Sequence, residues 1–309
     1  MTTFEILLQQ IGLFVIYILA GVILVRTKVL NRETLEPISK FVIKMALPVM
    51  IFINIIDGVN KEILTGSWSI LLIAAGFYAV MFLVSFGMMK FFHLSEDRAG
   101  ICQAMMLFGN IGFMAVPVIS SVFPGNGILY VSVFMVFDQL MLWTLGVKLT
   151  TPTRSGGFEL KKLINPATVA ILIGMLLMLT GVRIPALLDT GLQKIGATAS
   201  PLAMIYIGGI FAELPLKKYL KELSLYGIVL VRMLLAPLLM FFVLGFFPVS
   251  AEIRLAMALI TGMPTMTAVV MMANASGMDG EYALGGVFIT TLCGIVTLPC
   301  ICWLLEYAI

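Results

Sequence analysis

Gly109-Asn110-Ile111-Gly112-Phe113-Met114-Ala115-Val116-Pro117 lies midway along an apolar run that extends from about Ala99 to Val122. The run is long enough to span a bilayer, yet two glycines, an amide and a proline interrupt it. Pro117 has no N–H to donate, and its ring clashes with the carbonyl four residues earlier, so a helix here is expected to kink or break. In hydrocarbon, a broken helix leaves backbone groups unpaired, which is tolerated only where protein or a water-filled cavity meets them. Two readings follow: a binding site at mid-membrane depth, or a packing kink of the kind that Pro and Gly commonly make in membrane helices.

Composition settles the class around this stretch. The chain is 61% hydrophobic and 11% charged, with a net charge of +3, against roughly 25% charged residues in globular proteins. An all-α polytopic membrane protein is expected. The basic residues sit at helix ends rather than in a stripe, which gives no footprint for nucleic acid. Cys102, Cys293, Cys300 and Cys302 fall inside apolar segments without metal-ligand spacing and read as small core residues. Phe4 onward has the character of a first span rather than a signal peptide. No GxxxxGK[ST], HExxH or GxSxG pattern occurs, so neither ATP-driven transport nor an intramembrane enzyme is expected, and no cofactor is implied.

Ten spans fit at roughly 20 residues each. They run near Phe4–Val25, Leu35–Ile56, Trp68–Met89, Ala99–Val122, Ile128–Leu149, Asn165–Thr180, Gly196–Leu214, Leu223–Phe246, Arg254–Ala275 and Tyr282–Leu305. Basic residues cluster after the odd-numbered spans: Arg26, Lys28, Arg32 and Lys40; Lys90 and Arg98; Lys148, Arg154, Lys161 and Lys162; Lys217, Lys218 and Lys221. The opposite loops carry only Lys61, Arg183, Lys194 and Arg254. The positive-inside rule therefore places both termini outside.

One constant offset pairs Gly21 with Gly174, Pro48 with Pro201, Gly109 with Gly262, Ala115 with Ala268 and Gly127 with Gly280. It divides the chain into five-span halves, residues 1–149 and 163–309, joined by a cytoplasmic linker at 150–162. An odd number of spans per half makes the second half enter from the opposite side. The result is a pair of inverted five-helix repeats, as in many secondary carriers. The same offset sets Asn110-Ile111-Gly112 against Met263-Pro264-Thr265, so the fourth and ninth spans are both expected to be broken and to cross.

Crossing broken helices aim half-helix N-termini, each equivalent to roughly +0.5 charge, at a shared point that suits an anion. Candidate substrate-binding residues are Gly109, Asn110, Gly112 and Pro117 in the fourth span, and Gly262, Pro264, Thr265 and Asn274 in the ninth. Thr261 and Thr267 offer hydroxyls, which more commonly bond back to their own helix. Asp138 and Arg232 fall near the centres of the fifth and eighth spans, where a charge costs roughly 2.5–3.5 kcal/mol on insertion scales. Asp138 reads as a proton carrier, a ligand for a coupling cation such as Na⁺, or the partner of Arg232 in a structural ion pair. Lys44 is expected to snorkel to the surface, and His93 to be a solvated loop residue.

These features resemble the auxin efflux carrier family. The resemblance rests on Lys44-Met45-Ala46-Leu47-Pro48, on Gly109-Asn110-Ile111-Gly112-Phe113 with Pro117, and on the closing Ile289-Thr290-Thr291-Leu292-Cys293-Gly294-Ile295-Val296-Thr297-Leu298-Pro299, and it covers the whole chain. It implies ten spans in which helices 1, 2, 6 and 7 form a dimerising scaffold and helices 3–5 and 8–10 form a transport domain. It also implies a bacterial inner-membrane carrier of small organic acids, such as malate, malonate or auxin-like weak acids. Asn110, Pro117 and Pro264 take the crossover positions. The long central loop of the plant carriers is reduced here to Thr150–Lys162. The expected function is secondary transport of organic anions by alternating access, coupled to H⁺ or Na⁺. A sodium-coupled symporter of the bile-acid-carrier type, and a non-transporting sensor or channel, are the alternatives.

Overall fold

The computed structural model describes residues 3–58, 68–152, 166–182, 184–213 and 216–308. Among them the chain is helical, and the only strand-like feature is a single bridge between two helix breaks. Among the described residues seven helices are long and apolar enough to cross a membrane, and two further apolar helices, Ile111–Val122 and Pro166–Thr180, are shorter. The longer α-helices are α1 (Thr3–Arg26), α2 (Arg32–Phe41), α3 (Leu47–Gly58), α4 (Trp68–Phe91), α5 (Glu96–Leu107), α6 (Val116–Val122), α7 (Gly127–Met141), α8 (Pro166–Thr180), α9 (Ala186–Ala197), α10 (Ala199–Glu213), α11 (Leu223–Ile228), α12 (Ala236–Leu244), α13 (Ala251–Thr261), α14 (Ala268–Ala275) and α15 (Gly280–Glu306). Of the expected linker, 153–162 lie outside the described residues, as do Lys61, Arg154, Lys161, Lys162 and Arg183.

Proline shapes several of these helices through the turn that precedes it. Widened π-helical turns at Val42–Ala46, Ile111–Ala115 and Val229–Leu235 stand directly before Pro48, Pro117 and Pro237. Each of these prolines falls within the first turn of the helix that follows. A proline cannot complete the usual bond to the carbonyl four residues back, and widening the turn removes the clash. Pro117 is therefore not itself the break expected from the sequence. The helix ends earlier, at Leu107, and the chain is irregular through Phe108–Asn110. A second difference lies at Ala186–Ala197, expected as a loop and found as a helix that packs on α3. Of the four cysteines, only Cys102 and Cys302 are core residues; Cys300 is exposed.

Without a hydrophobic force between helices in lipid, close association needs small residues at the contact. The α1–α10 pair shows this directly. A Cβ on Gly21 would lie 2.0 Å from the Ile205 carbonyl oxygen, and one on Gly208 would lie 1.9 Å from that of Ile18. No side chain fits at either position without separating the two helices.

Charged contacts gather where α5, α11 and α15 begin. Arg98 bonds Asp279 at 2.8 Å and reaches Glu222 at 3.4 Å, and its guanidinium lies 4.9 Å from the Tyr282 ring centre. Lys218 pairs with Glu281 nearby. Asp279 also caps α15 by accepting from Tyr282 N–H at 2.9 Å. Partial burial pushes its carboxyl upward, but the Tyr282 N–H and the Arg98 guanidinium outweigh that and hold it below the ordinary carboxylate value.

Candidate functional site

The two helix breaks meet. Gly109 and Thr265 form an antiparallel bridge; Asn110 N–H donates to Pro264 O at 2.7 Å, and Met266 N–H donates to Phe108 O at 3.0 Å. Backbone groups that a broken helix strands in a low-dielectric interior are thus paired with those of the other broken helix. Thr265 fastens the junction twice more. Its N–H donates to Thr290 Oγ1 at 3.1 Å, and its hydroxyl donates to Met105 O at 3.3 Å. Pro264 packs against α15, where a Cβ on Gly294 would sit 2.8 Å from its ring.

Beyond the junction, each broken span starts a new helical segment whose cap residue is buried. Asn110 precedes the π-turn Ile111–Ala115 and Thr267 precedes α14, and neither side chain caps its own helix. Asn110 Oδ1 and Thr267 Oγ1 are both buried without a hydrogen-bond partner. Two uncapped helix starts and two unsatisfied polar atoms, one pair from each break, therefore share one neighbourhood. Such starts attract anions.

Gly109, Asn110, Gly112, Pro264 and Thr265 stand at or beside the junction, and Gly262 caps α13 immediately before it. Asn274 does not join them: it is exposed at the far end of α14, with its side chain over Gly280. Thr261 bonds back to Met257 O at 2.9 Å within its own helix.

Pro117 belongs to a neighbouring cavity of about 470 Å³, within the size range of small-ligand pockets. Its polar lining includes Gln10, Asn54, Ser120, Ser121, Gln193 and Ser200, brought together from α1, α3, α6, α9 and α10. Asn54 Nδ2 and Ser120 Oγ are buried and unpartnered. The carbonyl of Phe113, four residues before Pro117, accepts from Ser200 Oγ at 2.5 Å. Among the described residues, no charged side chain lines the cavity.

Two buried charges flank the junction. Asp138 accepts from Tyr78 OH and, at 2.8 Å, from Gln139 Nε2. Arg232, 1% exposed, makes no ion pair with Asp138 within 4.0 Å. Its Nε donates to Met263 O at 3.1 Å and its Nη1 to Met106 O. A Cβ on Gly109 would fall 2.2 Å from Nη2, so only glycine lets the guanidinium come this close. The sequence marked both charges but named neither Tyr78 nor Gln139. It also missed the cavity amides, which look like ordinary surface polar residues until distant helices converge.

Apolar membrane-length helices, two of them interrupted and bonded at their breaks beside a polar-lined cavity, fit a polytopic membrane transport protein. The family model described as membrane transport protein matches residues 6–159 and 154–302, and the chain belongs to this family, that of the auxin efflux carriers. An uncharacterized transporter of Methanothermobacter thermautotrophicus is 24% identical over 300 residues, covering 92% of this chain and 93% of the relative. The uncharacterized transporter YfdV of Escherichia coli K12 is 24% identical over 208 residues, covering 63% of this chain. That alignment spans 65% of the length of YfdV.

Proposed function

We propose that this protein is a secondary carrier of small organic anions, carboxylates such as malate, malonate or auxin-like weak acids, working by alternating access. In this scheme ten spans form two inverted five-helix repeats, residues 1–149 and 163–309, with both termini outside. Spans 1, 2, 6 and 7 make a scaffold through which the inner-membrane protein dimerises. Spans 3–5 and 8–10 move against it. The observation that carries the scheme is the backbone pairing of the two breaks at Gly109 and Thr265, because a carrier built from inverted repeats binds its solute where discontinuous helices meet.

The chemistry suits an anion that carries hydrogen-bonding groups. Uncapped helix starts behind Asn110 and Thr267 supply positive potential. The cavity beside Pro117 offers amides and hydroxyls to the remainder of the solute, and rocking of α6 against α1, α3 and α10 exposes it. Asp138 carries the coupling proton. Its two neighbours suit a group that gains and loses hydrogen, since the Tyr78 hydroxyl can turn and Gln139 has a spare buried oxygen.

The test is counterflow of labelled malate or malonate in proteoliposomes, paired with a thermal-shift screen of purified protein against mono- and dicarboxylates. A carrier shows saturable exchange, and a ligand bound only by the folded state raises the melting temperature. Flux without saturation selects a channel, and binding without flux selects a sensor. Asp138→Asn is expected to keep exchange and lose the pH dependence of net uptake; unchanged pH dependence removes Asp138 from coupling.

A further inference from the structure

Arg232 is placed where a coupling cation belongs. Met106 lies in the last turn of α5 and Met263 just past the end of α13, so the carbonyls it binds come from the C-terminal ends of both first half-helices. Each such end carries roughly −0.5 charge, about −1 for the two together. In carriers built on discontinuous helices, unwound carbonyls and half-helix C-termini of this kind coordinate the driving Na⁺ or H⁺. Here one guanidinium takes both carbonyls, from a span that belongs to neither broken helix. The π-helical stretch Val229–Leu235 presents it, and Gly109 leaves room for its third nitrogen.

We infer that Arg232 is a resident cation that substitutes for a bound metal ion, making the junction assemble and operate without Na⁺. The inference deepens the carrier reading and rests on it for its meaning in transport. Its geometric core is the pair of bonds to Met106 and Met263. With both C-terminal carbonyls neutralised by a fixed charge, the helix starts at Asn110 and Thr267 keep their positive potential for the solute. Arginine suits the task because its planar fork holds several donors rigidly and carries a permanent charge.

The test uses the full chain, purified in detergent, and reads thermal stability, so it needs no identified solute. Wild-type protein is expected to melt at the same temperature in NaCl, KCl and choline chloride of equal ionic strength. Arg232→Ala is expected to melt lower by roughly 5 °C or more, and to regain most of that loss in millimolar guanidinium chloride but not in choline chloride. A saturable rise of the wild-type melting temperature specific to Na⁺ overturns the inference, as does an Arg232→Ala protein with unchanged stability. If Arg232→Ala does not fold, Gly109→Ala replaces it, because its methyl group displaces Nη2; a wild-type melting temperature there also overturns the inference. These outcomes separate from the carrier reading. Absence of organic-anion flux together with guanidinium rescue removes the carrier and leaves the resident cation in place.

Discussion

The two helix breaks meet the same requirement with different residues. The first ends α5 at Leu107, passes through Phe108–Asn110, and restarts in a π-turn that absorbs Pro117. The second places its proline, Pro264, inside the break itself and restarts directly as α14. Each borrows a hydroxyl from a third helix. Ser200 of α10 serves the first break and Thr290 of α15 the second. In the proposed division α10 belongs to the scaffold and α15 to the moving part. The Ser200 bond therefore crosses a sliding boundary and must break during transport, whereas the Thr290 bond travels with the junction. In that scheme the first break carries a bond to the scaffold, whereas the Thr290 bond of the second stays within the moving part.

The comparison can be broken in order of expected effect. Arg232→Met touches both breaks and orphans two buried carbonyls; it should cost about 2–6 kcal/mol of stability, read as a melting-temperature loss in detergent. Equal stability of mutant and wild type would mean the breaks hold themselves together. Asn110→Ala should reduce solute binding roughly 10–100-fold while leaving stability within about 0.5 kcal/mol, because its Oδ1 has no partner to lose. Thr267→Val tests the other break in the same assay, with a smaller loss expected from a single neutral hydroxyl. A larger effect at Thr267 would reverse the assignment of the main ligand.

Ser200→Ala and Thr290→Ala form the sharper pair. Each should cost about 1 kcal/mol of stability, but only Ser200→Ala should alter the counterflow rate. Matching rates in the two variants would undo the distinction between a bond that crosses the proposed boundary and one that does not. The smallest effect belongs to the contacts outside the spans. Asp279 is held below the ordinary carboxylate value, so its contribution is present above that value and fades as pH falls through the lower, folded-state one. The melting-temperature gap between wild type and Asp279→Asn should stay level while the pH is above the ordinary carboxylate value and close as the pH falls below it. A gap that persists at low pH would assign Asp279 a role other than its charge.

Legibility varied with how local each signal was. The apolar runs in register with helix length disclosed the class, and Gly109-Asn110 with Pro264 marked both places where helices stop. Pro117 misled about the exact position, because a π-turn can absorb a proline that would break an α-helix. Asn274 carried the right chemistry on the right helix but falls two turns beyond the junction, since rotation and rise along α14 carry it away from Thr267. Gln10, Asn54, Gln193 and Ser200 gave no signal, because a cavity drawn from five helices has no spacing to read.

Sequence alone was enough to establish a helical membrane chain with two interrupted spans and two charges stranded in apolar surroundings. Those are consequences of hydropathy and of backbone chemistry, which act residue by residue. Tertiary structure alone decided that the breaks bond each other, and that Arg232 binds backbone carbonyls rather than the Asp138 carboxylate. Hydrogen bonds are short and directional, and which donor meets which acceptor across more than a hundred residues depends on packing that no local pattern encodes.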